Sequence, residues 1–258
     1  MLPSIEQPYT TLDEAANSLT ELQQIFRANA DRRAVFVTCY LVMTRDMRNK
    51  TAQGFFADNA WVTRYALAFA NYYRQAILDW STDNISQVPE CWQIAFRAAE
   101  ADTTLILQDL LLGINAHIDH DLALALDRVG IQPESLRHED HLKVNEVLVA
   151  ATVPIEQAIG RYYAPGLNLL GRTLGPLAVI AANLNIDLAR NHAWNMAAQL
   201  VAAKADAKRA SLTTELDKQA SLIANLVIGP THEMAFLVPA LKRLEADHSW
   251  LQVLEGLE

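Results

Sequence analysis

The sequence has few of the residues that break helices or cross-link chains. Its 258 residues include only nine glycines, nine prolines and two cysteines. Cys39 and Cys91 both stand inside apolar helical patterns, which predicts two buried free thiols. Low cysteine usage is typical of a reducing compartment, so we expect a cytoplasmic protein that folds without disulfides.

Positive charge and long apolar runs are also scarce. Lys and Arg number 21 against 30 Asp and Glu, and the net charge is −9. A surface of this sign repels phosphate backbones, so we expect no nucleic-acid partner. No apolar run approaches the roughly 20 residues that a membrane span needs. The N-terminus also lacks the basic and apolar regions of a signal peptide. We therefore expect neither a membrane span nor a secretion signal.

What the sequence does contain is helical pattern. Hydrophobic residues make up 51 % of the chain, and many of them are alanine and leucine, which favour helix. We predict an all-α, bundle-like protein of about eight helices around a long buried central helix, forming a single domain over residues 1–258. Residues 152–178, rich in glycine and proline, are expected to be a packed connection. The predicted helices are 11–30, 32–47, 60–80, 91–129, 140–151, 177–207, 212–227 and 234–254.

The segment LILQDLLLGINAHIDHDLALALDR, residues 105–128, is the most informative stretch. His117 and Asp121 lie one helical turn apart, so their side chains share a face. The helix is apolar nearly all round, which is typical of a helix buried on most sides. We therefore expect an imidazole and a carboxylate that turn together into the interior. Gly113 leaves room beside them for a ligand or a closely packed helix.

Three explanations of this buried pair remain open. It can be a structural hydrogen bond, because buried polar groups need partners. It can be part of a zinc site, because imidazole and carboxylate at this spacing present two donors to one ion. It can also be an acid–base pair, in which Asp121 orients His117 and raises its basicity. His117, Asp121 and His141 are the expected ligands if a divalent metal such as zinc is bound.

Two further polar clusters could join this site. In LRHEDHLKVNEVL, Asp140 is expected to cap a helix, while Asn145 faces inward and His141 or Asp140 could reach the first cluster. In NLNIDLARNHAWNMA, Arg190 is expected to pair with Asp187 one turn away. Alternatively, Arg190 pairs with Asp121 or with an anionic group of a ligand.

Several blocks of the sequence resemble a bacterial and fungal family that is known only as domain of unknown function 5995. They include DHLKVNEVL, ARNHAWNMA, LDKQASLIANLVIGP and, most specifically, the Asn-Ala-His-Ile-x-x-Asp-Leu block from Asn115 to Leu122. The resemblance covers the chain from about residue 20 to 230. It implies one all-α domain but no reaction. It supports attention to Asn115, His117, Asp121, Asp140, Asn145, Arg190 and Trp194.

The sequence therefore supports two classes of function. The first is an enzyme centred on His117 and Asp121, helped by Asn115 and Arg190. With a metal, it would hydrolyse an ester or phosphoester, and the His-x-x-x-Asp helix is similar to metal-binding helices of zinc-dependent phospholipases. Without a metal, it would cyclise or isomerise a small apolar metabolite. The second class is a non-catalytic helical protein that binds a small ligand. In either class an aromatic stripe would line the pocket, formed by Tyr65, Phe69, Tyr72 and Tyr73.

Overall fold

A computed structural model of the chain confirms the all-α class. It describes residues 3–151 and 186–229, together with Pro239, Lys242, Arg243, Glu245 and Leu254. Within these residues there is no strand, and no helix is long and apolar enough to cross a membrane. The helices are α1 (Leu12–Ala28), α2 (Ala34–Ala52), α3 (Asn59–Ser81), α4 (Glu90–Ala101), α5 (Ile106–Asn115), α6 (Leu122–Val129), α7 (134–151), α8 (Ile186–Ala202) and α9 (Asp206–Ile228).

Local signals in the sequence account for where the first helices begin. Thr11 and Glu14 form a capping box, in which each side chain accepts a hydrogen bond from the backbone of the other residue. The Asp58 carboxylate accepts the backbone N–H of Trp61 and so caps α3. Helix α2 contains several β-branched residues, and it is a helix as predicted because it is buried on most of its surface.

The prediction of one continuous helix over residues 91–129 is wrong. Helix α4 ends at Ala101, and Asp102 takes a left-handed backbone conformation with φ of 49°. The chain restarts as α5 after Leu105, whose backbone N–H donates to the side chain of Gln108. Buried Arg32 forms ion pairs with both Asp102 and Asp109, one on each side of the break. A tertiary contact to the connection between α1 and α2 therefore stabilises an interruption that helical periodicity alone does not reveal.

A segment of π-helix, Ala116–Asp121, joins α5 to α6. A π-helix bonds each residue to the fifth along instead of the fourth, which widens the backbone, and such segments are frequent at functional sites. This segment contacts α8 and α9, while α6 packs against α3 and α8. The sequence block that carries His117 and Asp121 is therefore enclosed by other helices, as the apolar pattern predicts.

Two packed clusters of apolar side chains make up the core. One involves α1, α2, α4, α5, α9 and the C-terminal half of α3. The other involves α6, α7, α8, the N-terminal part of α9 and the N-terminal half of α3. Phe69, near the middle of α3, packs against both clusters. The two clusters therefore meet beside the π-helical segment.

Other predicted boundaries have mixed outcomes. Helix α7 begins at residue 134, earlier than the predicted Asp140, so Asp140 does not cap it. Helix α8 ends at Ala202, before the predicted residue 207. The predicted connection over 152–178 and the start of the helix at 177 lie outside the described residues, as does most of the helix predicted for 234–254. The single domain over residues 1–258 stays a prediction.

Gly113 of α5 lies directly against Phe36 of α2. A Cβ atom built on Gly113 would lie 2.5 Å from the ring carbons of Phe36. We expect Gly113→Ala to lower the free energy of unfolding by about 1–3 kcal/mol, because the ring must shift out of a packed position. Urea denaturation measures the loss. The penalty should shrink in a Phe36→Ala background, which lacks Cγ and Cδ2, and an equal penalty in both backgrounds would contradict a clash with this ring.

Candidate active site

A largely apolar cavity lies between the two core clusters. The cavity volume is about 70 Å³. His117 and Arg190 contribute polar groups to a lining that is otherwise mostly aliphatic, aromatic and sulfur-containing. The apolar lining residues include Phe36, Tyr40, Met43, Met47, Phe69, Ile114, Ile118, Val144, Leu148 and Ile186.

His117 and Asp121 form a buried hydrogen-bonded pair. The Nδ1 atom of His117 lies 3.0 Å from Oδ2 of Asp121. The two residues are 3 % and 1 % exposed, respectively. The predicted inward turn of both side chains is therefore confirmed. Of the two, only the imidazole lines the cavity, so the carboxylate stands behind the imidazole and not beside it.

The Asp121 carboxylate is held by three nitrogen donors. Oδ2 also accepts the indole N–H of Trp92 at 3.0 Å, and Oδ1 lies 2.7 Å from Nδ1 of His120. Burial by itself would raise the pKa of Asp121, but the hydrogen bonds from His117 and His120 outweigh it and lower the pKa below its ordinary value. Asp121 is therefore an ionised carboxylate that only accepts hydrogen bonds.

This arrangement fixes the tautomer of His117. Because the carboxylate accepts, Nδ1 of His117 must carry the proton that it donates, and Nε2 must carry a free lone pair. Burial lowers the pKa of His117 below its ordinary value, although the bond to Asp121 acts in the opposite direction. The ring is therefore neutral at physiological pH. Within the described part of the chain, Nε2 is buried and makes no hydrogen bond.

Aromatic rings surround the imidazole and hold its orientation. The ring of Phe69 stacks on it, with centroids 3.5 Å apart and planes 9° from parallel. Tyr40 meets it edge-on at a centroid distance of 4.5 Å. Phe36, Tyr73 and Trp92 lie around it with centroids between 5.7 and 6.1 Å away. Among the residues that the structure describes, the imidazole therefore lies in apolar surroundings with one hydrogen-bond partner, the carboxylate of Asp121.

A second polar cluster is centred on Arg190, which is 2 % exposed. Its Nε donates to the side-chain oxygen of Asn145, and its Nη2 donates to the carbonyl of His141 at 2.8 Å. Nη1 lies 3.4 Å from the hydroxyl of Tyr65. These acceptors include neither Asp187, the partner expected from the sequence, nor Asp121, the alternative. Asn145 faces inward as predicted and supplies one of the acceptors.

His141 stands behind Arg190 as a neutral group. Its Nε2 lies 3.3 Å from the backbone carbonyl of Arg190, and its Nδ1 lies 3.2 Å from Nη2 of the same residue. Because a guanidinium only donates, Nδ1 accepts and Nε2 carries the proton. Burial, reinforced by the positive charge of Arg190, lowers the pKa of His141 well below its ordinary value. Both ring nitrogens are thus engaged by the protein.

Two other predicted site residues point away from the cavity. The amide of Asn115 donates to the carbonyl of Ala220 in α9 at 2.9 Å, and Asn115 does not line the cavity. The carboxylate of Asp140 accepts the backbone N–H groups of Ala57 and Asp58, both at 2.8 Å, just before α3. Asn115 and Asp140 therefore join helices, whereas His117 and Arg190 are brought to one cavity.

The zinc-ligand set predicted from the sequence is not assembled. In the described ranges there is no group of three or more His, Cys, Asp and Glu side chains placed to hold a metal ion. Both oxygens of Asp121 already accept N–H groups. Both nitrogens of His141 are engaged at Arg190. The arrangement of donors leaves the lone pair of His117 Nε2 as the free basic group.

Sequence reasoning missed two members of the site and identified others. Tyr65 and Phe69 from the predicted aromatic stripe do line the cavity, while Tyr72 and Tyr73 do not. Trp92 and Tyr40 were not singled out, although Trp92 bonds the carboxylate and Tyr40 contacts the imidazole. Both stand in apolar helical patterns that read as ordinary core. Their roles depend on which helices pack together, and the sequence carries no local signal for that.

Comparison with known proteins identifies a family for the chain but no known activity. A family model described as "Family of unknown function (DUF5995)" matches residues 12–230. No curated protein and no protein of solved structure matches the chain.

Proposed function

The chain belongs to the DUF5995 family of unknown function, and we propose from the geometry of its cavity that it is a metal-free acid–base enzyme. In this proposal the chain binds a small, largely apolar molecule and moves a proton on it. His117 is the base, and Asp121 is the group that orients it. Isomerisation by proton transfer is the reaction class that fits this pair best.

The observation that carries the proposal is the free lone pair of His117. Nε2 is a buried basic nitrogen without a hydrogen-bond partner in the described residues, on a ring that lines an empty cavity. A buried polar atom without a partner costs about 1–3 kcal/mol. A structural His–Asp pair needs only the Nδ1 side of the ring. Because the fold tolerates the free-energy cost of an unbonded Nε2, we infer that this atom interacts with a bound molecule.

The surroundings of the imidazole suit proton transfer. When Nε2 takes a proton from the substrate, the ring becomes a cation, and the negative charge of Asp121 stabilises it through Nδ1. The indole of Trp92 and the imidazole of His120 keep the carboxylate in place. The proton then returns to a different atom of the same substrate, so no atom is gained or lost. The apolar lining excludes water, which would otherwise compete for the proton.

Hydrolysis through a covalent intermediate fits the site less well. Cys39 is the thiol among the lining residues. Burial raises the pKa of Cys39 to about 12, so the thiol stays protonated and is a poor nucleophile. The purely ligand-binding alternative is supported by the apolar cavity alone. It does not account for a carboxylate that fixes the tautomer of a free base.

A reporter of base catalysis tests the proposal without knowledge of the natural substrate. 5-Nitrobenzisoxazole is small and apolar, and its ring opens when a base removes the proton from carbon, which releases a coloured phenolate. We expect the wild-type chain to accelerate this reaction above an equal concentration of free imidazole. The rate should rise with pH with a midpoint below 6.5, because the pKa of His117 is lowered from that value. No acceleration, or a midpoint above 6.5, would contradict the proposal.

A further inference from the structure

Arg190 is a buried cation whose acceptors in the described residues are all neutral. Its guanidinium contacts an amide oxygen, a carbonyl oxygen, a tyrosine hydroxyl and a neutral imidazole. None of the ion pairs among residues 3–151 and 186–229 involves it. Burying a charge is costly unless an opposite charge compensates it. Such a residue facing an empty cavity is therefore suited to an anionic group of a ligand.

The hydrogen-bonding capacity of Arg190 is not fully used. Nη1 carries two hydrogens, and its single hydrogen bond to a described residue is the long one of 3.4 Å to the hydroxyl of Tyr65. The Tyr65 hydroxyl lies 3.3 Å from Nδ1 of His141, but Nη2 of Arg190 also donates to that nitrogen, so the single hydroxyl hydrogen can turn to a ligand. Arg190 and Tyr65 both line the cavity. Two donors, one charged and one neutral, thus stand together at its wall.

The remaining surface of the cavity restricts what the anionic group can be attached to. The lining includes Val144 and Leu148 of α7 and Ile186 of α8, and α2 adds Met43 and Met47. Methionine and branched aliphatic side chains favour a flexible hydrocarbon over a sugar or a nucleotide. A single charged group on an otherwise apolar body matches this distribution of polarity.

We infer that the cavity accepts an aliphatic molecule with one carboxylate, bound through Arg190 Nη1 and the Tyr65 hydroxyl. A carboxylate offers two oxygens to these two donors, and guanidinium groups bind carboxylates with charge-assisted hydrogen bonds. The inference deepens the proposed function and rests on it for the idea that the bound molecule is a substrate. Binding itself can be measured without turnover, so the two statements can fail separately.

Calorimetry with decanoate and decanol on the full chain tests the inference. We expect decanoate to bind the wild type about 10–100-fold more tightly than decanol, as a hydrogen bond to a charged group suggests. Arg190→Gln should remove this preference, and Arg190→Lys should keep part of it. Tyr65→Phe should weaken decanoate binding and leave decanol binding unchanged. His117→Gln should keep the preference for decanoate, which separates head-group binding from proton transfer.

Three outcomes would overturn the inference. The first is equal affinity of decanoate and decanol for the wild type. The second is an unchanged preference in Arg190→Gln, with thermal melting used to show that this variant is folded. If it does not fold, Arg190→Lys and Tyr65→Phe decide, and both matching the wild type would contradict the assignment. The third is binding of decyl phosphate at least about tenfold more tightly than decanoate, which would replace the carboxylate by a phosphate.

Discussion

Replacing His117 with glutamine should slow the opening of 5-nitrobenzisoxazole by about 10²–10⁴-fold, the usual contribution of a positioned base. The amide of glutamine can still donate a hydrogen bond to Asp121, and it fills much of the same space. It has no basic nitrogen, so only binding in the apolar cavity remains. The expected loss is therefore in the rate constant of the bound reporter, while its affinity stays close to that of the wild type.

The matched control for this variant is His192→Gln. His192 lies on α8 at the surface, where its Nε2 contacts the side chain of Gln219 at 2.9 Å. The same change of residue type at an exposed position outside the cavity lining should leave the rate unaltered. Equal rates in wild type and His117→Gln would show that the imidazole is not the base. The pH profile of any residual activity would then indicate which group replaces it.

Removing the Asp121 side chain should cost at least about 3 kcal/mol of unfolding free energy. In Asp121→Ala, the N–H donors of Trp92, His117 and His120 lose their acceptor inside the core. Each buried donor left without a partner costs about 1–3 kcal/mol. Urea denaturation followed by circular dichroism measures the change. Asp217→Ala is the control, because Asp217 also accepts two N–H groups, but at the half-buried start of α4, where the cost is about 1 kcal/mol.

Asp121→Asn separates stability from chemistry at the same position. Its amide oxygen can replace Oδ2, which accepts from both Trp92 and His117. Only the contact with His120 then faces an amide nitrogen, so this variant should lose less stability than Asp121→Ala. It should still react slowly, because the negative charge that stabilises protonated His117 is gone. The stability prediction for Asp121→Ala is tested against Asp217→Ala. Equal unfolding free energies of these two variants would show that the buried hydrogen bonds of Asp121 stabilise the fold no more than the half-buried ones of Asp217.

Much of the fold could be predicted because its signals are local. The capping residues Thr11 and Asp58 stand where the helices α1 and α3 begin. The inward turn of His117 and Asp121 follows from a helix that is apolar on every side, and this prediction is confirmed. Periodicity, capping and burial of a whole helix need no knowledge of the other helices. They are therefore visible in a single sequence.

The predictions that failed depend on contacts between distant parts of the chain. The break at Asp102 is stabilised by Arg32, which is 70 residues away. Nothing in the periodicity of residues 116–121 distinguishes a π-helix from an α-helix. The acceptors of Arg190 come from two other helices, α3 and α7, whereas the sequence alone suggests a partner one turn along the same helix. The sequence shows which polar residues are candidates for the site. It does not show which of them line the cavity and which form hydrogen bonds between helices.

Phe69 links the orientation of the base to the packing of the core. Its ring is stacked on the imidazole of His117 and at the same time packs against both core clusters. If the two clusters separated, the ring of Phe69 would no longer hold the imidazole of His117 in its orientation. Local melting at the site and global unfolding should therefore form one cooperative transition, so that amide protons beside His117 exchange with solvent no faster than those in the centre of either cluster.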